Sequence, residues 1–342
     1  MMEQARAKLE LEHEDVTDMQ AVHDLCATDM AAADALIRSS LDSEVVLIRQ
    51  IAEYIIGSGG KRLRPMLVIL AAHACGYRPE AESKSHQVTL AAVIEFIHTA
   101  TLLHDDVVDE SELRRGQESA HAVWGNAASV LVGDFLYSRA FQMMSGVNSM
   151  RVMDVLSNAT NLIAEGEVEQ LLNMYEPELS ESRYFSVIEK KTAKLFEAAC
   201  QLGAVLAGRP DLEHAMAVFG RELGTAFQVT DDVLDYTSSA LALGKNTGDD
   251  LAEGKTTLPL ILCRALLVAE KRELVDASIR QGDSSRLDQI IELIRESGAL
   301  ETSTKIATQH AHAALAALES LPESAWKSAM STLAHYSVSR QH

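Results

Sequence analysis

The stretch VTLAAVIEFIHTATLLHDDVVD, residues 88–109, decides the fold. From Val88 to His104 it is apolar around most of its circumference, and Glu95 is the only acid before Asp105. A segment of this length with no period-two alternation reads as a helix, and a helix apolar on nearly every side belongs inside a bundle. It ends in three aspartates. Residues i and i+4 share a helix face, so Asp105 and Asp109 project together while Asp106 lies about 100° around. Like charges at that spacing cost roughly a few tenths of a kcal/mol, which implies compensation by cations.

The same pattern returns downstream. Asp105-Asp106-Val107-Val108-Asp109 is echoed by Asp231-Asp232-Val233-Leu234-Asp235, again near the end of a long apolar segment. Two helical hairpins would set the two motifs face to face, as in bundles that build metal sites in their cores. Hard carboxylate oxygens favour Mg²⁺, which commonly takes one or two carboxylates plus substrate phosphates. A single motif is as well explained by a solvated, aspartate-rich helix end; two near-identical ones on apolar helices argue for bound metal ions.

Outward from these motifs, apolar residues recur at three- and four-residue spacing almost throughout. The expected helices cover 31–56, 61–76, 86–110, 119–146, 151–175, 180–207, 211–238 and 255–281, with shorter ones to the C-terminus. Six prolines and 18 glycines in 342 residues are few breakers, as long helices require. With 47% hydrophobic and 23% charged residues, the chain has the composition of a globular protein with a sizeable core. We expect an all-α fold, a large single-domain helical bundle with a central cavity spanning 31–342, preceded by an N-terminal extension over 1–30.

Thirty basic against fifty acidic residues give a net charge of −20, which argues against nucleic acid or acidic membranes as partners. An anionic substrate then needs local cations or metal ions. Cys26, Cys75, Cys200 and Cys263 show no metal-ligand spacing and read as buried, reduced side chains. No charge-free apolar run reaches membrane-spanning length and residues 1–15 lack a signal-peptide core, so the expected location is the cytoplasm.

The cations are placed unevenly. Gly59-Gly60-Lys61-Arg62-Leu63-Arg64-Pro65 puts Lys61 and Arg64 on one face of a helix start, where free backbone N–H groups also favour anions. An ordinary surface cap explains the segment as well, and it lacks P-loop spacing. Arg114 and Arg115 follow the first aspartate motif, Lys191 stands beside Thr192, and Lys245 and Lys255 follow the second motif. Cations near both motifs suggest two diphosphate sites. Arg62, Lys190 and Lys194 read as solvated or structural. His98, two turns before Asp105 on its face, is either a ligand or a satisfied core residue.

Five ordered segments, GGKRLRP, HDDVVDESELRRG, KTAKLFEAA, GTAFQVTDDVLDY and LGKNTGDDLAEGKTTLPL, closely resemble those of the trans-prenyl diphosphate synthases, and among them the bacterial long-chain (octaprenyl) diphosphate synthases. The resemblance covers about residues 35–340 and departs at no motif position. It implies the prenyl synthase fold, a homodimer, and head-to-tail condensation of isopentenyl diphosphate onto an allylic diphosphate such as farnesyl diphosphate. The product implied is a long all-trans chain, octaprenyl, destined for quinone side chains. The resemblance further implies three Mg²⁺ per active site. Asp105 and Asp109, with Asp106 in support, would hold those on the allylic diphosphate; Asp231, with Asp232 and Asp235, would hold the remaining one. Lys61, Arg64, His98 and Arg115 would grip isopentenyl diphosphate. Arg114, Lys191 and Lys245 would grip the allylic diphosphate, with Thr192, Gln228 and Lys255 behind them. Asp105, Asp109, Asp231, Lys191 and Lys245 would act in the chemical step.

Product length should depend on the residues under Asp105. In such synthases a bulky aromatic five residues before the first aspartate ends growth early. Here that position is Ala100, with Thr101 beside it, so the floor is expected to be open and the products long. Ideal helical geometry sets Ala100 some 140° from Asp105, so this choice rests on the resemblance. Two other readings stay open. A class I terpene cyclase shares the aspartate helix and Mg²⁺ but needs no second diphosphate site. A non-catalytic subunit of a heteromeric synthase tends to lose aspartates that are complete here.

Overall fold

A computed structural model describes residues 16–79, 85–237 and 247–340. The all-helical expectation is met. In chain order the main elements are α1 (Met19–Ser40), α2 (Val46–Gly57), α3 (Leu63–Ala74), α4 (His86–Val108), a small hairpin of β1 (Leu113–Arg114) and β2 (Gln117–Glu118), α5 (Ala120–Trp124), α6 (Asn126–Gly146), α7 (Met150–Asn173) and α8 (Glu181–Ile188). A π-helical turn (Glu189–Ala193) leads into α9 (Lys194–Leu206). Then come α10 (Pro210–Asp235), α11 (Asp249–Ala252), α12 (Leu258–Leu266), α13 (Ala269–Gln281), α14 (Leu287–Glu296), α15 (Ala299–Ala317) and α16 (Ala325–Ser339).

Helix α4 is buried as its sequence requires, with Leu90, Val93, Ile94, Phe96, Ile97, Ala100 and Leu103 all in the main core. It packs on α6 and α3, while α9 packs on α3 and α10, and α10 on α15. A very close contact joins α9 to α3. A Cβ built on Gly203 would lie 2.4 Å from the Ala71 carbonyl carbon, so the two backbones touch where any side chain would hold them apart.

Several expected helices are divided. The span 31–56 is two helices, and α1 begins at Met19, so the boundary drawn at residue 30 falls inside a helix whose Val22 and Cys26 are in the core. The break after Ser40 has a tertiary cause: Arg139 Nη1, from α6, donates to the Ser40 carbonyl at 2.8 Å and caps the helix end. Ser43 Oγ then accepts from the Val45 N–H at 3.2 Å, a local bond that competes with helix continuation. The span 119–146 is interrupted at Gly125, and 255–281 begins at Leu258 and breaks between Leu266 and Ala269. The β-hairpin was not foreseen. Its two-residue turn has positive φ at both Arg115 (54°) and Gly116 (75°), as a tight hairpin demands. Among the described residues no helix is long and apolar enough to cross a membrane, and the four cysteines are free and buried.

The backbone contact at Gly203 gives a test of the packing. Gly203→Ala should destabilise the protein by at least about 1–3 kcal/mol, because Ala71 backbone atoms cannot step aside as a side chain can. Gly57→Ala, with nothing within 4 Å of the new Cβ, should leave the melting temperature unchanged or higher. Thermal denaturation of both variants checks this; a harmless Gly203→Ala would mean that α3 and α9 do not meet this closely.

Candidate active site

The aspartate ends of α4 and α10 open into one cavity of about 720 Å³. Along α4 its lining runs Glu95, His98, Thr101, Leu102, Asp105 and Asp109, the three- and four-residue stripe of a single helix face. Asp106 is turned away from it. Its side chain is fully buried and accepts from Arg114 Nε at 2.8 Å, and a second Arg114 N–H reaches the same oxygen. Its other carboxylate oxygen has no hydrogen-bond partner. Ala100 is also fully buried and does not line the cavity, whereas Thr101 does.

Each aspartate facing the cavity from α4 meets a cation. Lys255 Nζ lies 2.7 Å from Asp109 Oδ2 and 2.6 Å from Glu253 Oε2. Burial alone would raise the Asp109 carboxyl, but the Lys255 charge, with Lys191 behind it, holds it below the usual carboxylate range. Lys191 Nζ sits 2.6 Å from Glu167 Oε2 and 3.5 Å from Asp105 Oδ2, bridging α7 to α4. Lys191 and Thr192 belong to the π turn, whose extra residue per turn aims both at the cavity. Glu167 pays the electrostatic cost of that crowding: burial, and then the neighbouring Asp105 charge, push its carboxyl up to about 7 against the pull of Lys191.

Across the cavity, Arg340 Nη2 pairs with Asp231 Oδ1 at 2.7 Å and donates to the Phe227 carbonyl at 2.8 Å, with its guanidinium 3.7 Å from the Phe227 ring centre. Asp232 is buried. It accepts from Tyr184 Oη at 2.5 Å and Gln228 Nε2 at 2.8 Å, and Thr192 Oγ1 donates in turn to Gln228 Oε1 at 3.0 Å. Burial, reinforced by Asp250, raises its carboxyl well above the usual range. Asp235 and Asp250 complete this wall.

The third wall is basic. Lys61, Arg64, Arg114 and Arg115 line the same cavity. Arg64 Nη1 is 3.1 Å from His98 Nε2, and its guanidinium lies 4.5 Å from the Phe196 ring centre. Burial lowers Arg64 to about 10, leaving it charged at neutral pH, and burial with the adjacent arginines keeps His98 well below its ordinary value. His98 is therefore a neutral imidazole. Since a guanidinium only donates, Nε2 must accept and Nδ1 carries the proton. Lys61 Nζ stands 5.5 Å over the Tyr336 ring.

The sequence-derived set thus gathers at one cavity apart from Asp106 and Ala100, which lie behind it, and Lys245, which lies outside the described residues. The partners of Arg62, Lys190 and Lys194 are Glu95, Glu169 and Glu197. Glu167, Glu253, Tyr184 and Arg340 were missed. Glu253 stands two residues before Lys255 in a charged segment read above only for its lysines, whereas Tyr184 has no such mark and Arg340 stands alone. Among the described residues no three carboxylate, imidazole or thiol side chains are drawn into a ready-made metal cage. What the cavity offers is acidic groups on two facing helices, with Asp105, Asp109 and Asp231 each beside a cation, next to a cationic wall. Such a site can take a polyanion by exchanging carboxylate–cation contacts for phosphate–cation ones.

Glu167 gives a pH-dependent test. A carboxyl raised from 4.5 to about 7 favours the fold fully below pH 4.5. That contribution is lost progressively as pH rises to 7. Relative to wild type, Glu167→Gln should therefore gain stability between pH 5 and pH 8, read as the difference in melting temperature across that range. A constant difference would mean that Glu167 keeps an ordinary carboxyl.

The comparisons with known proteins agree with this geometry. The family model described as polyprenyl synthetase matches residues 45–294. The chain is 50% identical over 325 residues to the octaprenyl diphosphate synthase of Escherichia coli K12, covering 94% of this chain and 99% of that one. It is 46% identical over 314 residues to the geranyl-diphosphate-specific all-trans-nonaprenyl-diphosphate synthase of Rhodobacter capsulatus, covering 92% and 95%. Its fold matches a Caulobacter crescentus CB15 polyprenyl synthase, solved with calcium and isoprenyl diphosphate, at a TM-score of 0.89 and 44% identity, covering 94% and 97%. With both aspartate motifs and the basic wall assembled on one cavity, the chain belongs to the polyprenyl synthetase family.

Proposed function

We propose that the protein is a chain-elongating prenyltransferase that condenses isopentenyl diphosphate with an allylic diphosphate to give a long all-trans polyprenyl diphosphate. The observation behind this reading is that both aspartate motifs and a separate basic wall face one cavity, room for two diphosphates rather than one. Mg²⁺ fits the donor set. Asp105 and Asp109 on one side, and Asp231, Asp235 and Asp250 on the other, supply hard oxygens without sulfur or imidazole, and the lack of a closed cage suits an ion that completes its shell with phosphate oxygens. Magnesium, when bound, offsets the charge that develops on the departing diphosphate. We expect three ions per site. Asp106 acts through Arg114 rather than as a ligand.

Lys191, Lys255 and Arg340, now paired with Asp105, Asp109 and Asp231, are placed to transfer to the allylic diphosphate, as is Arg114; Lys245 completes the set. Fixed cations there stabilise the leaving group as its C–O bond breaks, which lowers the barrier rather than merely tightening binding. Lys61, Arg64, Arg115 and neutral His98 hold isopentenyl diphosphate so that its double bond meets the cationic carbon. Leu102, Leu179, Val187, Ile188 and Phe227 keep water from that cation. The new C–C bond forms, and the released pyrophosphate takes the proton lost from isopentenyl carbon. Thr192 and Gln228 hold Asp232 in place.

Farnesyl diphosphate is the expected primer and octaprenyl diphosphate the expected product, used for quinone side chains; the likeness to octaprenyl and nonaprenyl synthases supports a long chain. A homodimer is supported by apolar side chains exposed on α6 and α7, among them Leu131 and Leu172 at 66% and 75% exposure. Four free, buried cysteines suit the reducing cytoplasm. The domain is best taken to include α1.

Two sets of measurements test this. Asp105→Ala and Asp231→Ala should each lower kcat on the order of a thousandfold with helicity intact by circular dichroism. Arg64→Ala should raise KM for isopentenyl diphosphate roughly ten- to a hundredfold, and Lys245→Ala should act mainly on the allylic substrate. Near wild-type turnover in either aspartate variant would refute the assignment. Mass analysis of products should give chains of about eight isoprene units. Ala100→Phe, which puts a bulky ring into the core behind Thr101, should shorten them without stopping condensation; unchanged lengths from an active variant would exclude Ala100 from length control.

A further inference from the structure

Behind the basic wall lies one buried acid that the reaction itself does not use. Glu95, 4% exposed, is on the cavity face of α4 one turn before His98. Its Oε1 accepts from Arg62 Nη1, and Arg62 Nη2 donates to the Ile56 carbonyl at 3.1 Å, tying α4 to the end of α2. A further carboxylate, Asp34 of α1, lies 3.8 Å from Arg62 Nε.

Arg62 is the residue before α3, and its backbone is left-handed, with φ 49° and ψ 31°. An arginine adopts that conformation only when its surroundings hold it there. The turn is held from the other side too. Arg115 donates to the Gly59 carbonyl, and a Cβ on Gly60, whose φ is 141°, would lie 2.8 Å from Arg115 Nη1. Lys61 and Arg64 flank Arg62, so the direction in which they leave the chain is set by this turn. The Glu95 charge also matters to the wall as a whole. Burial depresses the Arg64 and Arg115 guanidinium groups, and Glu95 is the principal charge opposing that effect on both.

We infer that Glu95 is a positioning residue for the isopentenyl diphosphate subsite, pinning through Arg62 the left-handed turn that presents Lys61 and Arg64 and balancing the charge of the surrounding arginines. A carboxylate gains nothing by touching a diphosphate directly, so its contribution runs through the cations it orders. This rests on the assignment of the basic wall to isopentenyl diphosphate, and the two can fail separately.

The test is steady-state kinetics with each substrate varied in turn, on Glu95→Gln, on the double variant Glu95→Met/Arg62→Met, and on Arg64→Ala. Removing one member of a buried ion pair can unfold a protein, whereas replacing both by apolar groups of similar size is usually tolerated. The double variant therefore keeps the test open if Glu95→Gln does not fold. We expect each folded variant to raise KM for isopentenyl diphosphate about tenfold or more while KM for the allylic substrate stays within about twofold. A folded variant with wild-type KM for isopentenyl diphosphate overturns the inference, as does an equal rise for both substrates or failure of both variants to fold, since either marks a structural role. If Arg64→Ala leaves that KM unchanged, the assignment of the wall itself is wrong.

Discussion

Most of the acids in and around the central cavity are matched by an opposite charge, because isolated charges partly removed from water are unstable. In a chain with net charge −20 this constraint governs the layout. Asp109 meets Lys255, Asp105 and Glu167 share Lys191, Asp231 meets Arg340, Asp106 meets Arg114 and Glu95 meets Arg62. The pairs join elements far apart in sequence, so the same bonds that neutralise the cavity also fix α4, α7 and α10 around it. An incoming diphosphate brings negative charge to a place already built from exchangeable contacts. Catalysis then depends on how these partners divide between carboxylate and phosphate, not on one exceptional side chain.

Much of this was legible in the sequence because it is local. The apolar run before Asp105, the repeat at Asp231, and the basic residues placed against so acidic a background all follow from spacing and composition. Helix ends were less legible where a distant group sets them. The stop at Ser40 depends in part on Arg139, a residue of another helix, and Ser43 alone gives only a weak local sign of it. The hairpin at Leu113–Glu118 was missed because its turn, Arg115-Gly116, lacks the Asn-Gly or Asp-Gly that marks tight hairpins.

The site itself divides in the same way. Asp105 and Asp109 were correctly grouped by helical periodicity, and that periodicity also set Asp106 about 100° away, where it pairs with Arg114 behind the wall. The sequence alone makes Arg62 either solvated or structural, because its partner, Glu95, is 33 residues away across a helix packing. Glu167 and Arg340 had no sequence signal. Their significance lies in what they touch, and only a folded chain brings Lys191 to one and Asp231 to the other.

The π turn at Glu189–Ala193 has a consequence for how this chain can vary. One additional residue in a turn rotates everything after it by about 100° relative to an uninterrupted helix. Here that phase offset lets Lys191 and Thr192 face the cavity while the buried faces of α8, with Tyr184 and Ile188, and of α9, with Phe196 and Cys200, both stay on the core. Point substitutions can alter the residues of the turn one by one. A single-residue deletion would instead rotate one flanking helix off its packing partner, so the segment can change in composition but not in length.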